Sequence, residues 1–436
     1  MRIVQAAGWY LPTSHGGTEV YVSELAKRLN AAGHEVLIAA PEPLGQDERT
    51  YDAGGIKVYR YPIPPRVSRD EAQGRVVVPG AERFHGWLQR VAADVVHMHT
   101  YVTGLGLSEV RVAKATGARV VATTHSASLG FTCQRGTMMR WGTALCDGVV
   151  RPTKCAACQL QHSGVPRPFA MAAALMPASI SAAGRRVPGR LGTIVGMTNL
   201  ISYNQASQRE MLDLVDRFVV LSDWARHVLI ANGAPAAKIA LNRLGVRFPS
   251  CPKPTRRSGA PITVAYIGRF DPIKGVADLA HAISMVPRSA PIRFEFHGPV
   301  RYVSDFTVVN RLKEIVGPEA WVHFGGELDA EGVRTALRRI DVVCCPSRAV
   351  EGGPTIALEA HAAGVPTIGT DIPALSELVR DGENGRLYPV GDVGALAEIL
   401  TELAVTPGLV DRWRACLSSV RTMDDVTRDY LEMYAA

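Results

Sequence analysis

Short apolar segments rich in β-branched residues alternate with segments of helical pattern along the whole chain of 436 residues. Such alternation is typical of parallel β-sheets, whose neighbouring strands are joined by helices. A chain of this length exceeds the usual size of one hydrophobic core, so we expect two domains. The strands predicted in the first half are Arg2–Ala6, Glu35–Ala40, Val95–Met98, Arg119–Thr123 and Arg217–Leu221. Those predicted in the second half are Ile262–Tyr266, Ile292–Phe296, Trp321–Phe324, Asp341–Cys345 and Pro366–Gly369.

A proline-rich stretch marks the predicted boundary between the two domains. The segment Phe248–Thr255 holds three prolines and shows no periodicity, as expected of a linker. We therefore expect an N-terminal domain over residues 1–248 and a C-terminal domain over residues 249–422. A last segment, residues 423–436, has the pattern of a helix.

The run from Glu351 to Glu359 carries the clearest functional signal. It reads Glu-Gly-Gly-Pro-Thr-Ile-Ala-Leu-Glu, follows an apolar strand and leads into helical sequence. The proline suits the first helical position, where a missing amide hydrogen costs nothing. The next amides point outward unpaired at the positive end of the helix dipole, where a phosphate oxygen can bind. Because glycine has no side chain, a ligand can approach this backbone closely. The predicted ligand-binding residues are Glu351, Gly352, Gly353, Pro354, Thr355, Ile356 and Glu359.

Two cations, Arg269 and Lys274, follow the strand-like segment that ends at Gly268. Arginine and lysine suit a diphosphate, the first by its planar fork and the second as a point charge. In open α/β sheets ligands bind at this end of the strands. Taken alone, each cluster has an ordinary structural interpretation. The two cations can simply be solvated in a loop, and the Glu351–Glu359 run can simply be an acidic start of a helix. Together they predict a nucleotide-diphosphate site in a doubly wound fold.

These motifs resemble those of the glycosyltransferases of family 4, which are retaining enzymes of the GT-B fold. The matching segments are Gly268-Arg269-Phe270 with Lys274-Gly275, the Glu351–Glu359 run and Gly364-Val365-Pro366-Thr367-Ile368. The loop His15-Gly16-Gly17-Thr18, the strand Val95-Val96-His97-Met98-His99 and the strand that ends at His125 resemble parts of the family's first domain. The resemblance implies two Rossmann-like domains facing across a cleft, with a C-terminal helix that crosses back to the first domain.

The resemblance also implies an activity and a role for each residue. The expected reaction is the transfer of a hexose, with retention, from a nucleotide diphosphate sugar to an acceptor hydroxyl on a glycan, a lipid-linked sugar or a small metabolite. A UDP-sugar is the best guess for the donor. Arg269 and Lys274 would neutralise the diphosphate without a catalytic divalent metal. The other implied roles are a sugar contact for Glu351, a ribose contact for Glu359 and a place for His125 near the reacting sugar carbon. Gly16 and Gly17 would let the first domain close against the diphosphate, and Gly268 would belong to the donor-binding residues. An epimerase or phosphorylase on the same fold, or a non-catalytic sugar-nucleotide-binding protein, stays open as an alternative.

Four of the eight cysteines lie in an insertion over about residues 130–165, with 12, 8 and 2 residues between them. The last spacing lets two thiolates reach one tetrahedral metal ion, and the other two cysteines can complete a four-sulfur site. Nearby Arg135, Arg140, Arg151 and Lys154 would favour thiolates. A structural zinc is the favoured interpretation, with an iron–sulfur cluster or unliganded thiols as alternatives; disulfides are weaker in a reducing cytosol. The predicted ligands are Cys133, Cys146, Cys155 and Cys158.

Positive charge is concentrated in the first half. Residues 111–190 hold 11 Lys and Arg against a single acidic residue, Asp147. Such a field favours an anionic partner. No nucleic-acid recognition motif accompanies these cations, so a lipid-linked diphosphate, an anionic membrane surface or an acidic sugar is the better candidate for the anionic partner. The stretch Phe169–Ile201 mixes apolar residues with arginines, which suits either an amphipathic membrane contact or a helical lid over the cysteines.

The expected location is the cytoplasm, with peripheral contact to the inner membrane face. No apolar run approaches the ~20 residues that a spanning helix needs. The N-terminal stretch is too short and too quickly polar for a signal peptide, and it is typical of a first strand.

Overall fold

The computed structural model describes residues 1–14, 16–126, 132–248, 259–318 and 321–436. It divides into two compact units. The first unit comprises Met1–Trp141, Cys146–Arg243 and Met423–Ala436, and the second comprises Gly142–Leu145 and Leu244–Thr422. His15 and most of the predicted linker, together with Cys251, lie outside the described residues.

The first unit is built on an eight-stranded sheet in the order β10-β9-β6-β5-β1-β2-β4-β3, in which only the β3–β4 pair is antiparallel. Its strands are β1 (Arg2–Ala6), β2 (Glu35–Glu42), β3 (Arg49–Asp52), β4 (Lys57–Pro62), β5 (Val95–Met98), β6 (Arg119–Thr123), β9 (Arg217–Val220) and β10 (Ile239–Leu241). Two short strands, β7 (Met139–Arg140) and β8 (Ala144–Leu145), lie outside this sheet.

Helices connect these strands, as parallel pairing requires. They are α1 (Gly17–Ala31), α2 (Arg69–Ala72), α3 (Ala81–Val91), α4 (Leu107–Ala115), α5 (Pro152–His162), α6 (Arg167–Ala174), α7 (Ala178–Gly184), α8 (Gly189–Leu214) and α9 (Asp223–Ala231), with a short 3-10 turn at Ala236–Lys238.

The second unit is built on a six-stranded sheet in the order β13-β12-β11-β14-β15-β16, and all its pairs are parallel. Its strands are β11 (Ile262–Ile267), β12 (Ile292–His297), β13 (Val322–Gly325), β14 (Val342–Cys345), β15 (Thr367–Thr370) and β16 (Gly385–Tyr388). Its helices are α10 (Val276–Met285), α11 (Val303–Val316), α12 (Ala330–Arg339), α13 (Thr355–Ala362), α14 (Val393–Val405) and α15 (Leu409–Ala415), with a 3-10 turn at Pro272–Lys274.

The last helix, α16 (Met423–Ala435), belongs to the first unit although the chain reaches it after completing the second. It packs against α1 and buries Tyr430 and Tyr434 completely or nearly so. The side-chain nitrogen of Asn242, Nδ2, donates a 3.1 Å hydrogen bond to the carbonyl oxygen of Val426. Apolar packing and buried polar contacts therefore both hold α16 in the first unit.

The prediction of parallel sheets is confirmed, and all ten predicted strands are present within two residues of their expected ends. The central strands are buried on both faces, which explains their mainly apolar sequence. The prediction missed β3, β4, β10 and β16 and the two short strands β7 and β8.

Across the described part of the chain, no single helix is long and apolar enough to cross a bilayer. The helices α14 and α15, which meet at an angle of 99°, together reach the length and apolar composition of a spanning segment.

Candidate active site

Two loops of the second unit meet where β11 and β14 end. After β11 the chain makes a 3-10 turn, which the Asp271 side chain caps by accepting a 3.0 Å hydrogen bond from the amide of Ile273. Gly275, which follows this turn, has φ +68°, and a Cβ added to it would stand 1.7 Å from the carbonyl oxygen of Pro346. Only glycine allows this approach, because any side chain would push the β14 loop away.

The residues after β14 tie the two loops together. The amide of Arg348 donates a 2.8 Å hydrogen bond to the carbonyl oxygen of Ile273. The Arg348 guanidinium also binds the buried Asp278 of α10 through both of its oxygens. A two-pronged Arg–carboxylate pair fixes orientation as well as distance. The backbone on both sides of the site is therefore held in one arrangement.

Lys274 and Glu351, predicted from separate motifs, are in direct contact. Nζ of Lys274 lies 2.8 Å from Oε2 of Glu351, and the side chain of each is about one quarter exposed. The hydroxyl of Ser347 donates to the other carboxylate oxygen. Ser347 is in turn held by Thr370, whose hydroxyl donates a 2.8 Å hydrogen bond to its carbonyl oxygen. The pair is thus preorganised and still reachable from solvent.

Helix α13, which follows Glu351 in sequence, begins at Thr355 and not at Pro354 as predicted. The carbonyl oxygen of Pro354 accepts the first helical hydrogen bond, 3.1 Å from the amide of Leu358. Pro354 is therefore the N-cap. The amide of Thr355 donates a 3.0 Å hydrogen bond to the carbonyl oxygen of Gly353, so among the described residues the unpaired amides of this first turn are those of Ile356 and Ala357. An added Cβ on Gly353 would stand 2.3 Å from Cδ1 of Leu244, so a leucine side chain fills the space next to this glycine.

Glu359 lies inside α13 and is almost completely buried. Its Oε1 pairs with Nη2 of Arg247 at 2.9 Å. A buried carboxylate without such a partner would be costly, so the arginine makes a charged Glu359 tolerable at this position.

Arg269 differs from Lys274 in its surroundings. Its side chain is two thirds exposed, and Nη1 lies 3.8 Å from the carboxylate of Asp271. The carbonyl oxygen of Arg269 accepts a hydrogen bond from the hydroxyl of the buried Tyr266, which positions the backbone and leaves the guanidinium exposed. Gly268 is held next to it by a 2.9 Å hydrogen bond from its amide to the carbonyl oxygen of His297.

The remaining predicted residues belong to the first unit. Gly16 is the N-cap of α1, which begins at Gly17. A Cβ on Gly16 would stand 2.6 Å from Oε2 of Glu19, whereas one on Gly17 would meet nothing within 4 Å. His125 follows β6 and packs edge-on against Tyr21 of α1, with ring centroids 4.8 Å apart. Its pKa falls to about 4 because the surrounding side chains remove water from the ring. His125 is therefore neutral at pH 7.

The four predicted metal ligands are free thiols of the first unit, and Cys155 and Cys158 lie on α5. The amide of Arg151 donates to Sγ of Cys155 and the amide of Trp141 to Sγ of Cys158, each at 3.4 Å. Within the described ranges, no three His, Cys, Asp or Glu side chains form a group that could hold a metal ion as they stand.

The expectation that nearby cations favour thiolates is wrong for two of these cysteines. Burial raises the pKa of the Cys146 and Cys155 thiols, and the neighbouring thiols raise the pKa of both further. Hydrogen bonds from backbone amides act in the opposite direction without overcoming burial.

Sequence reasoning missed Ser347 and Arg247, which contact the two glutamates. Each is a single polar residue in a loop, without a motif of its own. The one usable signal was position, since Ser347 follows β14 at the sheet edge where ligands bind in such folds.

Two family models match the chain and together cover about two thirds of it. The model described as Glycosyltransferase Family 4 matches residues 15–170, and the model described as Glycosyl transferases group 1 matches residues 261–405. The second match contains Gly268, Arg269, Lys274 and the whole Glu351–Glu359 run. The chain belongs to family 4 of the glycosyltransferases.

Curated relatives agree with this family and are themselves glycosyltransferases. The phosphatidyl-myo-inositol mannosyltransferase of Mycobacterium leprae is 25% identical over 418 residues, which cover 94% of this chain and 89% of the relative. The D-inositol 3-phosphate glycosyltransferase of Acidothermus cellulolyticus is 25% identical over 421 residues, covering 90% of this chain and 79% of the relative. The protein is thus a glycosyltransferase enzyme.

Solved structures show that the fold is GT-B. Sucrose-phosphate synthase from Thermosynechococcus elongatus superposes with a TM-score of 0.67 at 17% identity, covering 100% of this chain and 98% of that one. The Anabaena protein HepE in complex with UDP and glucose gives a TM-score of 0.61 at 15% identity, covering 100% and 99% of the two chains. At these identities the likeness concerns the fold alone.

Proposed function

We propose that the second unit of this glycosyltransferase binds a nucleotide diphosphate sugar and that the sugar is transferred with retention of configuration. The observation that carries the proposal is the 2.8 Å contact between Lys274 and Glu351, at the carboxyl ends of β11 and β14 and beside the start of α13. A cation, a carboxylate and free helix amides are the groups that a diphosphate and a sugar hydroxyl require.

In this proposal each group acts on one part of the donor. Lys274 leaves its pairing with Glu351 and neutralises the charge that develops on the departing diphosphate, with Arg269 as a second cation. Glu351 accepts a hydrogen bond from a sugar hydroxyl, and Glu359 binds the ribose hydroxyls. Two cations then supply the positive charge that a divalent metal supplies in other transferases. Retention follows from the family resemblance, and NMR of the anomeric proton of a fresh product tests it.

A UDP-sugar is the proposed donor. Support comes from structural neighbours, since HepE was crystallised with UDP and with UDP-glucose and the trehalose-6-phosphate enzyme of E. coli with UDP-2-fluoro glucose. Thermal-shift screening of UDP, GDP and their sugars tests the choice, because a ligand at 100 times its dissociation constant stabilises by about 2.7 kcal/mol. If only GDP-sugars raise the unfolding temperature, the donor is a GDP-sugar and not a UDP-sugar.

Glu359→Ala is expected to weaken donor binding more than it slows chemistry. Hydrogen bonds to a charged group contribute about 1.5–3 kcal/mol, so KM for the donor should rise about 10-fold or more while kcat changes less. Because Arg247 loses its partner at 2.9 Å, the variant should also unfold at a lower temperature. Steady-state kinetics and thermal unfolding measure the two effects separately.

Two further variants separate the ribose contact from the loss of stability. Glu359→Gln keeps the shape and one acceptor, so its KM should lie between those of the parent and Glu359→Ala. Glu327→Gln removes an exposed carboxylate that pairs with Arg301 and should behave as the parent. An unchanged KM for the donor in Glu359→Ala would exclude the ribose role.

The proposed acceptor is anionic and carried by a membrane lipid. The names of the mycobacterial and Acidothermus relatives both contain an inositol bearing a phosphate, one as a phospholipid and one as a free phosphate. The excess of cations over residues 111–190 suits such an acceptor. A soluble inositol phosphate is the alternative, and it would be used equally well without vesicles.

An exposed apolar surface supports membrane contact. We call it the insertion face; it comprises residues of α6–α8 and their connections. Phe169, Leu175 and Leu191 are 69–72% exposed, and the exposed Arg185, Arg186 and Arg190 lie near them in sequence. The opposite side of α6 and α8 packs on α5 around Ala156, Ala173 and Met197. The segment thus covers the cysteine helix, as the lid alternative predicted, and also leaves apolar side chains in water. Apolar residues beside arginines are what an anionic bilayer surface binds.

The parent is expected to sediment with vesicles that contain anionic lipid, and binding should fall as salt rises from 0.1 to 1 M. Exposed charges are screened over ~10 Å at the lower concentration and ~3 Å at the higher. The triple variant Arg185→Glu, Arg186→Glu, Arg190→Glu should lose most of this binding. A second variant, Phe169→Ser with Leu191→Ser, should weaken binding at both salt concentrations, because apolar insertion is not screened.

A charge-matched control comes from the second unit. Arg311→Glu, Arg334→Glu and Arg338→Glu change the net charge equally at exposed positions outside the insertion face and should leave vesicle binding intact. Equal binding of the parent to neutral and anionic vesicles, or none to either, would favour a soluble acceptor.

The rival activities on the same fold make different products. An epimerase consumes or interconverts the donor without an acceptor, and a phosphorylase requires inorganic phosphate. A transferase releases nucleoside diphosphate in proportion to the sugar that appears on the acceptor. A protein that binds donor and releases no nucleoside diphosphate with any acceptor would be a sensor. The expected cytoplasmic location stays a prediction.

We also propose that Cys133, Cys146, Cys155 and Cys158 bind one structural zinc ion. Support comes from the spacing, from the neighbouring thiols that raise the pKa of Cys146 and of Cys155, and from the amides that donate to Sγ of Cys155 and of Cys158. Hydrogen bonds to sulfur stabilise a thiolate and orient it. Metal binding would supply the charge compensation that burial otherwise denies these thiols.

A further inference from the structure

Buried polar side chains from β1, from the residue that follows β5 and from α16 form a chain of hydrogen bonds that ends at His125. Nε2 of His125 lies 3.2 Å from Nδ1 of His99, and Nε2 of His99 lies 2.5 Å from Oε1 of Gln5. The amide nitrogen of Gln5 donates to the hydroxyl of Tyr434 at 3.3 Å. Gln5 and His99 are completely buried, and Tyr434 is nearly so. A C-terminal helix and the first strand thus meet next to a predicted catalytic residue.

With the Gln5 amide in this orientation, the chain of contacts determines which nitrogen of His125 carries the proton. The amide oxygen of Gln5 can only accept, so Nε2 of His99 must donate. Burial lowers the pKa of His99 well below its usual value, so the ring is neutral and its Nδ1 accepts. Nε2 of His125 is then the donor. Because burial keeps His125 neutral as well, its Nδ1 retains a lone pair, and among the described residues nothing hydrogen-bonds to it.

Tyr434 contacts the amide nitrogen of Gln5, whose oxygen faces His99. Its hydroxyl oxygen accepts from Gln5, so its own proton goes to Nδ1 of His97, 2.6 Å away. His97 then donates from Nε2 to the hydroxyl oxygen of Thr123 at 2.7 Å. If the oxygen and nitrogen of the Gln5 amide exchanged places, every hydrogen bond of this chain would reverse its direction, and the proton of His125 would lie on Nδ1. A buried network is stable only when every member is satisfied, so one change at Tyr434 affects His125.

We propose that Gln5 and Tyr434 are positioning residues that hold His125 with its proton on Nε2, so that Nδ1 accepts a hydrogen bond from a substrate hydroxyl. The proposal rests on His125 taking part in the proposed transfer. It adds the tautomer and the residues that set it, which lie on the first strand and the last helix of the chain.

NMR of histidine-labelled protein tests the tautomer without any turnover. Long-range 1H–15N spectra distinguish a protonated from an unprotonated ring nitrogen, and His125→Asn assigns the His125 signals by their disappearance. We expect a protonated Nε2 and an unprotonated Nδ1 in the parent at pH 7. The opposite pattern would overturn the proposal. Because no donor is needed, this result is independent of whether the proposed transfer reaction is correct.

Variants test the positioning role. Tyr434→Phe removes only the hydroxyl and should give mixed His125 tautomers, with kcat lower by about 10-fold and a smaller change in KM, since misoriented groups slow chemistry. The matched control is Tyr61→Phe, which removes another fully buried hydroxyl of the first unit; that hydroxyl donates a 2.7 Å hydrogen bond to the carbonyl oxygen of Gly104. It should keep the parent tautomer and rate.

Gln5→Met provides a second route to the same result. It fills the same space without an amide and should likewise give mixed tautomers, which covers the case in which Tyr434→Phe does not fold. A folded Tyr434→Phe variant with the parent's His125 spectrum would show that Tyr434 has no positioning role. The same spectrum in a folded Gln5→Met variant would remove Gln5 from the proposal.

Discussion

Lys274→Ala is expected to lower kcat for sugar transfer at least ~100-fold, because one preorganised charge aimed at a developing anion is worth about 3 kcal/mol. Lys274 suits this role since its ammonium is held 2.8 Å from Glu351 and is still partly exposed. The loop that carries it is fixed by the Arg348 contacts on both sides. Single-turnover measurements with saturating donor give the chemical step directly.

Further variants separate the lost charge from its side effects. Lys274→Ala also leaves Glu351 without its cation, so the double variant with Glu351→Gln removes that stranded charge; it should remain slow. Arg311→Ala breaks an exposed ion pair with Glu314 and should keep the parent rate. EDTA should leave transfer intact as long as any structural metal stays bound. A parent rate in Lys274→Ala would mean that the diphosphate pocket is wrongly assigned.

The predictable strands are those with two buried faces. β1, β5 and β11 appear in the sequence as mainly apolar segments because helices cover both sides of the sheet. The strand β4 was missed because Arg60 interrupts its apolar pattern, although that arginine is only 2% exposed. Its guanidinium contacts the Tyr10 carbonyl oxygen and the Thr13 hydroxyl, which a linear pattern cannot reveal.

The candidate donor site was predictable in part. Lys274 and Glu351 come from separate motifs, and the rule that parallel strands present their carboxyl ends at one edge is enough to bring them together. Arg247 was not predictable, because it approaches Glu359 across 112 positions of sequence. The contact between Gln5 and Tyr434 spans 429 positions and depends on where the last helix packs. Periodicity reports which face of an element is buried, and it carries no information about such polar partners.

The cysteine insertion shows the same limit. Spacing predicted that the four thiols bind one metal ion, and this stays a prediction, since no three His, Cys, Asp or Glu side chains of the described ranges form a group that could hold a metal ion as they stand. The charge pattern suggested thiolates, whereas burial, which depends on the packing of α5 against α6 and α8, raises the pKa of Cys146 and Cys155. Local charge is visible in a sequence, but desolvation becomes visible only when the helices are packed.

Cys155→Ser is expected to lose the proposed zinc and to unfold the insertion. Protein purified without a metal-affinity tag should hold about one zinc per chain by elemental analysis, in keeping with a closed four-ligand site. Structural zinc contributes folding free energy directly, with apparent values of about 10–16 kcal/mol in small zinc modules. Limited proteolysis should therefore cleave the variant near α5.

Cys416→Ser, which removes an exposed thiol of the second unit, is the matched control and should keep metal and protease resistance. Metal-free parent protein in which Cys133, Cys146, Cys155 and Cys158 all react with an alkylating reagent would contradict the proposal, because thiolates bound to zinc react slowly.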